Sequence, residues 1–132
     1  MIVTFGGTQA QRKYAESMAM FVCKKFNISP TVDINFKRMT NDTALGGCIE
    51  LDDSEYEIEI KRNLPLREML TTLAHEMVHV KQYELGELTQ TNHSNYEYWD
   101  KPSEIEAHGC EVGLFITWAE QNNVAHKKWT QI

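Results

Sequence analysis

Residues 65–84, PLREMLTTLAHEMVHVKQYE, limit what this chain can fold into more than any other stretch. A proline suited to a first helical turn opens the run, no further proline or glycine interrupts it, and Gly86 follows its end. The spacing predicts a helix. Leu66, Leu70, Leu73, Met77 and Val80 recur at helical intervals and form its apolar stripe. His75 and His79 fall on nearly the opposite side, beside Thr72 and Gln82, so they are not expected to be core histidines.

The other elements follow from the same periodicities. QAQRKYAESMAMFVCKKF, residues 9–26, places Ala10, Tyr14, Met18, Phe21, Val22 and Lys25 at helical spacing behind a Thr8 cap. TVDINFKRM alternates, with Val32, Ile34 and Phe36 on one side and Asp33, Asn35 and Lys37 on the other, as in a half-buried strand. CIEL and EYEIEIK read as two more strands joined at Asp52-Asp53-Ser54. A polar loop is expected over roughly 85–101, and a second long helix from Pro102-Ser103 through EIEAHGCEVGLFITWAEQ. The expected fold is α+β, in one domain spanning 1–132: an N-terminal helix, a sheet of two to four strands, the histidine helix and a C-terminal helix.

Composition narrows the function classes. No segment approaches the 18 or so uninterrupted apolar residues of a membrane span, so no membrane association is expected. The start, MIVTFGGTQAQRKY, lacks the order of a secretory signal, and a cytoplasmic location is the expectation. A net charge of -6 argues against a broad nucleic-acid surface. Cys23, Cys48 and Cys110 are three, widely spaced and without a CxxC pair, which suits packing in a reducing compartment better than a disulfide framework.

The histidine helix carries the chemistry. Residues i and i+4 lie one above the other, about 5–6 Å apart at Cβ, so two imidazoles can converge on one ion with bonds of about 2.0–2.1 Å to zinc. Glu76 is rotated by about 100° from His75, which lets its carboxylate reach a water beside the ion. His75-Glu76-x-x-His79 thereby offers two ligands and a general base within one turn. The competing reading is a solvated polar helix face.

A catalytic zinc needs a third protein ligand and one open position. Downstream candidates are His93, Glu104, Glu106, His108 and Glu111. In SEIEAHGCEVG, a core stripe of Ile105, Val112, Ile116 and Ala119 would leave Glu106 at one edge among the small residues Gly109, Cys110, Gly113 and Thr117. Glu104 would stand at the other edge, with His108, Glu111 and Phe115. Mid-helix glycine costs about 1 kcal/mol relative to alanine, and a close helix crossing on that side would explain two of them. This packing argument favours Glu106 as third ligand, with Glu104 and His108 as alternatives.

His75-Glu76-Met77-Val78-His79, followed by Glu106-Ala107 on a later helix, resembles the glutamate-type zinc metallopeptidases, the gluzincins. LAHEMVHVKQ with YWDKPSEIEAHG is most similar to short SprT-like or phage-encoded peptidases. The resemblance covers roughly residues 30–120. It implies a minimal zincin-like fold, one zinc ion held by His75, His79 and Glu106, and Glu76 as catalytic base. SprT-like domains usually take a histidine as third ligand, which keeps His108 in play. Thermolysin-type members carry an aspartate four residues after the ligand glutamate, where this chain has Cys110.

The expected activity is that of a zinc-dependent endopeptidase acting on a protein or peptide, with a metal-activated water and Glu76 as general base. Tyr96, Tyr98 and His93 are candidate oxyanion donors, as is His108. The acidic run Asp52, Asp53, Glu55, Glu57 and Glu59 would favour basic peptides if it lined the cleft. Two other functions fit: a zinc-binding regulatory or interaction module without turnover, and a SprT-like DNA-associated protease. The intact Glu76 argues against the first, since binding metal does not require it. The missing zinc ribbon and the acidic balance argue against the second.

Overall fold

The computed structural model describes residues 1–39, 45–88 and 101–131. Its elements run β1 (Ile2–Phe5), α1 (Gln9–Phe26), β2 (Thr31–Lys37), β3 (Gly46–Asp52), β4 (Glu55–Lys61), α2 (Leu66–Glu84) and α3 (Pro102–Gln121), with a closing 3-10 turn at Lys128–Thr130. The fold is α+β, three helices with a four-stranded mixed sheet ordered β1-β2-β4-β3. β1 and β4 both run parallel to β2, and β3 joins β4 antiparallel through the two-residue turn Asp53–Ser54. β1 was not expected: four residues at the start of the chain are too few for alternation to register. It is held by its partner, with Ile2 opposite Val32 and Thr4 opposite Ile34.

The sheet has one covered face. Val32, Ile34 and Phe36 of β2 and Tyr56, Ile58 and Ile60 of β4 are buried in register against the helices. Glu57 and Glu59 point the other way, where Lys37 Nζ bridges them at 3.2 and 2.6 Å. Glu57 and Glu59 therefore face away from the helix side of the sheet.

Each helix is fixed by its own sequence. Thr8 and Gln11 form a reciprocal capping box at the start of α1, and Asn27 closes that helix in the left-handed region at φ 56°. The buried side of α1 is Gln11, Ala15, Met18, Ala19 and Val22, so the stripe is set by Met18 and Val22 and Ala10 is exposed. α2 touches α1, α3, β3 and β4. Every residue from Leu73 to Gln82 is buried, including the side of His75 and His79, for which the competing reading is a solvated polar face.

α3 is rotated relative to expectation. Glu104, Ala107, Leu114, Phe115, Trp118 and Ala119 face inward, while Ile105 and Ile116 are 59% and 48% exposed. The helix has apolar residues on two faces, and the large aromatics decide between them. Trp118 packs edge-on to Tyr14 of α1 and beside Phe115 and Trp129, in an aromatic cluster to which the isoleucine stripe has no counterpart among its own side chains. Gly109 and Gly113 have open space where a Cβ would stand, so no close helix crossing explains them.

Candidate metal centre

α2 and α3 lie side by side, and the polar side chains of both meet in the seam. The carboxylate of Glu104 spans the histidine pair, with Oε1 3.0 Å from His75 Nε2 and Oε2 3.0 Å from His79 Nε2. The two rings are 5.0 Å apart and nearly perpendicular. All three side chains are at least nine-tenths buried. Each Nε2 meets a carboxylate oxygen either through its own hydrogen or through a metal ion shared between them.

The far sides of the imidazoles are also engaged. His79 Nδ1 is 2.8 Å from Gln82 Oε1, and His75 Nδ1 is 3.3 Å from Glu111 Oε2. Glu111 Oε1 in turn lies 3.2 Å from His108 Nδ1. Each ring is thus turned so that Nε2 faces the common point. Such oxygen partners on the remote nitrogen are what orient histidine ligands at metal sites. Burial lowers the His79 imidazole, but its contacts with Glu104 and Gln82 outweigh that and leave it above its ordinary pKa.

Glu76 faces the same cleft from α2 and is 7% exposed. Its oxygen falls within 4.8 Å of ligand atoms of both His75 and His79. Burial raises its carboxyl above the usual range, and the two imidazoles oppose that shift. A carboxylate in this position is suited to take up a proton.

Glu106 stands elsewhere. Its Oε2 accepts from Lys81 Nζ and its Oε1 from Gln82 Nε2, both at 2.8 Å, and it does not reach the histidines. Burial raises its carboxyl, but Lys81 and Gln82 bring it below the ordinary value. Glu106, the residue expected to complete the donor set, is thus placed beside Lys81 and Gln82, and the alternative Glu104 beside the imidazoles; the rotation of α3, with Trp118 inward, turns Glu104 toward them. His108 is beside the site but one step out, its ring 4.4 Å from that of His75 and its Nε2 3.9 Å from Glu104 Oε1. His75, His108 and Glu111 also bring ligand atoms within 4.8 Å of one another. Tyr96, Tyr98 and His93 lie outside the described residues.

The cleft over this centre has a volume of about 250 Å³. Gly46, Gly47 and Cys48 of β3 form one wall, and Tyr83 and Leu88 border it with the site residues. Gly46 is there because β3 crosses close to α2: a Cβ would stand 2.8 Å from Thr72 Cγ2 and 2.9 Å from Glu59 O. β3 is also an edge strand of the sheet. Burial holds the Cys48 thiol protonated, its pKa pushed well up, with Glu76 adding to the effect. Tyr83 could have been found from the sequence, since it is four residues beyond His79 on the same helix face. The β3 wall could not, because it depends on strand order. The Asp52–Glu59 acidic residues are not part of the lining.

Among the described residues no helix is long and apolar enough to cross a membrane. No known protein family, curated protein or solved structure matches this chain.

Proposed function

We propose that this chain is a zinc-dependent peptidase whose ion is held by His75, His79 and Glu104. One observation carries the reading: both histidine Nε2 atoms converge on a single buried carboxylate, with a second buried carboxylate, Glu76, beside them in an open cleft. Two imidazoles and one carboxylate are a donor set suited to zinc with a position left for water. When bound, zinc supplies Lewis acidity, polarising a carbonyl and lowering the pKa of water to about 7.

The protein's own groups then have definite tasks. Glu76 accepts a proton in the cleft and returns it to the leaving amine, a role its raised carboxyl suits. Gln82 and Glu111 hold the rings in place. Among the described residues β3 has a strand partner on one side only, and its outer edge offers backbone to an extended peptide, with Tyr83 and Leu88 bordering the space for its side chains. The fold this reading implies is a small zincin-like one.

The test is zinc content together with hydrolysis of a peptide library by wild type and Glu76→Gln. One zinc per chain and activity lost in the variant support a peptidase. Zinc without turnover on any peptide makes the chain a metal-binding module. No zinc uptake at all removes both readings.

A further inference from the structure

The seam between α2 and α3 contains a second polar chain, running from Lys81 through Glu106 and Gln82 to His79. Lys81 Nζ donates to Glu106 Oε2 at 2.8 Å and to Glu87 Oε1 at 2.8 Å. Glu106 Oε1 accepts from Gln82 Nε2 at 2.8 Å, and the Ser103 carbonyl accepts from that same nitrogen at 2.9 Å. Gln82 Oε1 lies 2.8 Å from His79 Nδ1, and Gln82 is 2% exposed.

A carboxylate and a backbone carbonyl can only accept, so together they fix which end of the Gln82 amide faces them. The NH2 must point at Glu106 and Ser103. The oxygen must then point at His79, and the nitrogen it meets must carry a hydrogen. Reversing the amide would set Gln82 Oε1 against two acceptors, one of them charged, on a side chain that is itself buried. The ammonium of Lys81 stabilises Glu106 in its charged form, which has no proton to donate.

We propose that Gln82 and Glu106 are positioning residues that keep a hydrogen on His79 Nδ1, so that every exchange of proton for metal ion takes place at Nε2, facing Glu104. Its purpose rests on the zinc reading above; its geometry does not. Glu106, two positions from the ligand carboxylate, thus acts on the metal through two intermediaries and never touches it. The arrangement also gives α2 and α3 a shared register, since the amide can satisfy His79 only when Glu106 of the other helix is in place.

Nitrogen-15 NMR of histidine-labelled protein tests this without any need for activity. In metal-free wild type at neutral pH, His79 Nδ1 should be protonated, with a hydrogen that exchanges slowly with solvent. After zinc addition Nδ1 should stay protonated while the Nε2 signal moves. Gln82→Leu should lose the slow exchange and weaken zinc binding by about 10–100-fold. Gln82→Glu alone sets two carboxylates together and should also weaken it. The exchange Gln82→Glu with Glu106→Gln restores one acceptor toward His79 and one donor toward residue 82 but leaves the Ser103 carbonyl facing an acceptor, and should recover part of the affinity lost in Gln82→Glu. A bare Nδ1 in wild type, or slow exchange unaltered by Gln82→Leu, overturns the proposal whether or not zinc binds. No zinc uptake with a protected Nδ1 hydrogen instead refutes the peptidase reading and leaves the hydrogen placement standing.

Discussion

Glu104 and Glu106 sit two positions apart on α3 and meet opposite partners: Glu104 the Nε2 atoms of His75 and His79, Glu106 the ammonium of Lys81. A rotation of about 200° separates two such positions on a helix, so one phase of α3 cannot serve both. Glu104→Ala should therefore reduce zinc affinity by more than the 10–100-fold expected from losing an orienting partner. Glu106→Ala should keep one zinc per chain. Competition against a chelator of known affinity measures both. Loss of stoichiometric zinc in Glu106→Ala, with Glu104→Ala unaffected, would reverse the ligand assignment.

Glu76 makes the metal-free fold less stable than it need be. Burial raises its carboxyl, and the sign of the effect follows. Below the ordinary value of 4.5 the group is neutral in both folded and unfolded chains and costs nothing. As pH rises towards the folded value, the unfolded chain ionises more readily, and stability is lost. Metal-free Glu76→Gln should thus be more stable than wild type at pH 7, by on the order of 1 kcal/mol or a few degrees in Tm. The advantage should fade as pH is lowered through the carboxylate range. Thermal melts in chelator at several pH values decide it; an advantage that grows in acid contradicts the burial argument.

The β3 wall depends on the absence of one methyl group. Gly46→Ala puts a Cβ against Thr72 Cγ2 and the Glu59 carbonyl, and should cost about 1–3 kcal/mol. Gly47→Ala, one residue on, meets nothing within 4 Å and should stay within about 0.5 kcal/mol of wild type. Urea denaturation of the pair is an internal control. Equal costs would mean that strand propensity, and not the approach to α2, governs both positions.

Trp118 holds α3 in the phase that presents Glu104. It is fully buried, and its indole nitrogen donates to Ser17 Oγ of α1 at 3.0 Å. Trp118→Ala should cost about 3–5 kcal/mol in denaturation. Under conditions where the variant stays folded, its zinc affinity should fall as well, although Trp118 does not touch the site. Unchanged affinity would show that the seam contacts alone set the helix rotation.

Much of this could be read from the chain in advance, and the misses have physical causes. Capping by Thr8, the Asp53–Ser54 turn and the start of α3 at Pro102 are local features, and each stands where its residues predict. The HExxH spacing brought His75, Glu76 and His79 together for the same reason, since all three ride on one helix. The third carboxylate depended on how a different helix is turned. Ile105, Val112 and Ile116 make as regular a stripe as Leu114, Phe115 and Trp118, and periodicity has no means of choosing between them. The choice rests on Tyr14 and Trp129, which meet Trp118 only in three dimensions. Likewise, nothing in α2 says that its polar side will be roofed by β3 and α3.

That enclosure has a kinetic consequence. Segments open to solvent in proportion to how little surrounds them, and functional groups are commonly carried on the parts that open first. Here both histidines and Glu76 ride on the one helix that is walled in by two helices and two strands. Amide hydrogens of residues 73–82 should be among the last to exchange, requiring global unfolding. The paired α3 carboxylate, by contrast, can be released by a smaller excursion that leaves α2 in place. The centre would then come apart from one side only, with the imidazoles waiting in register for Glu104 to return.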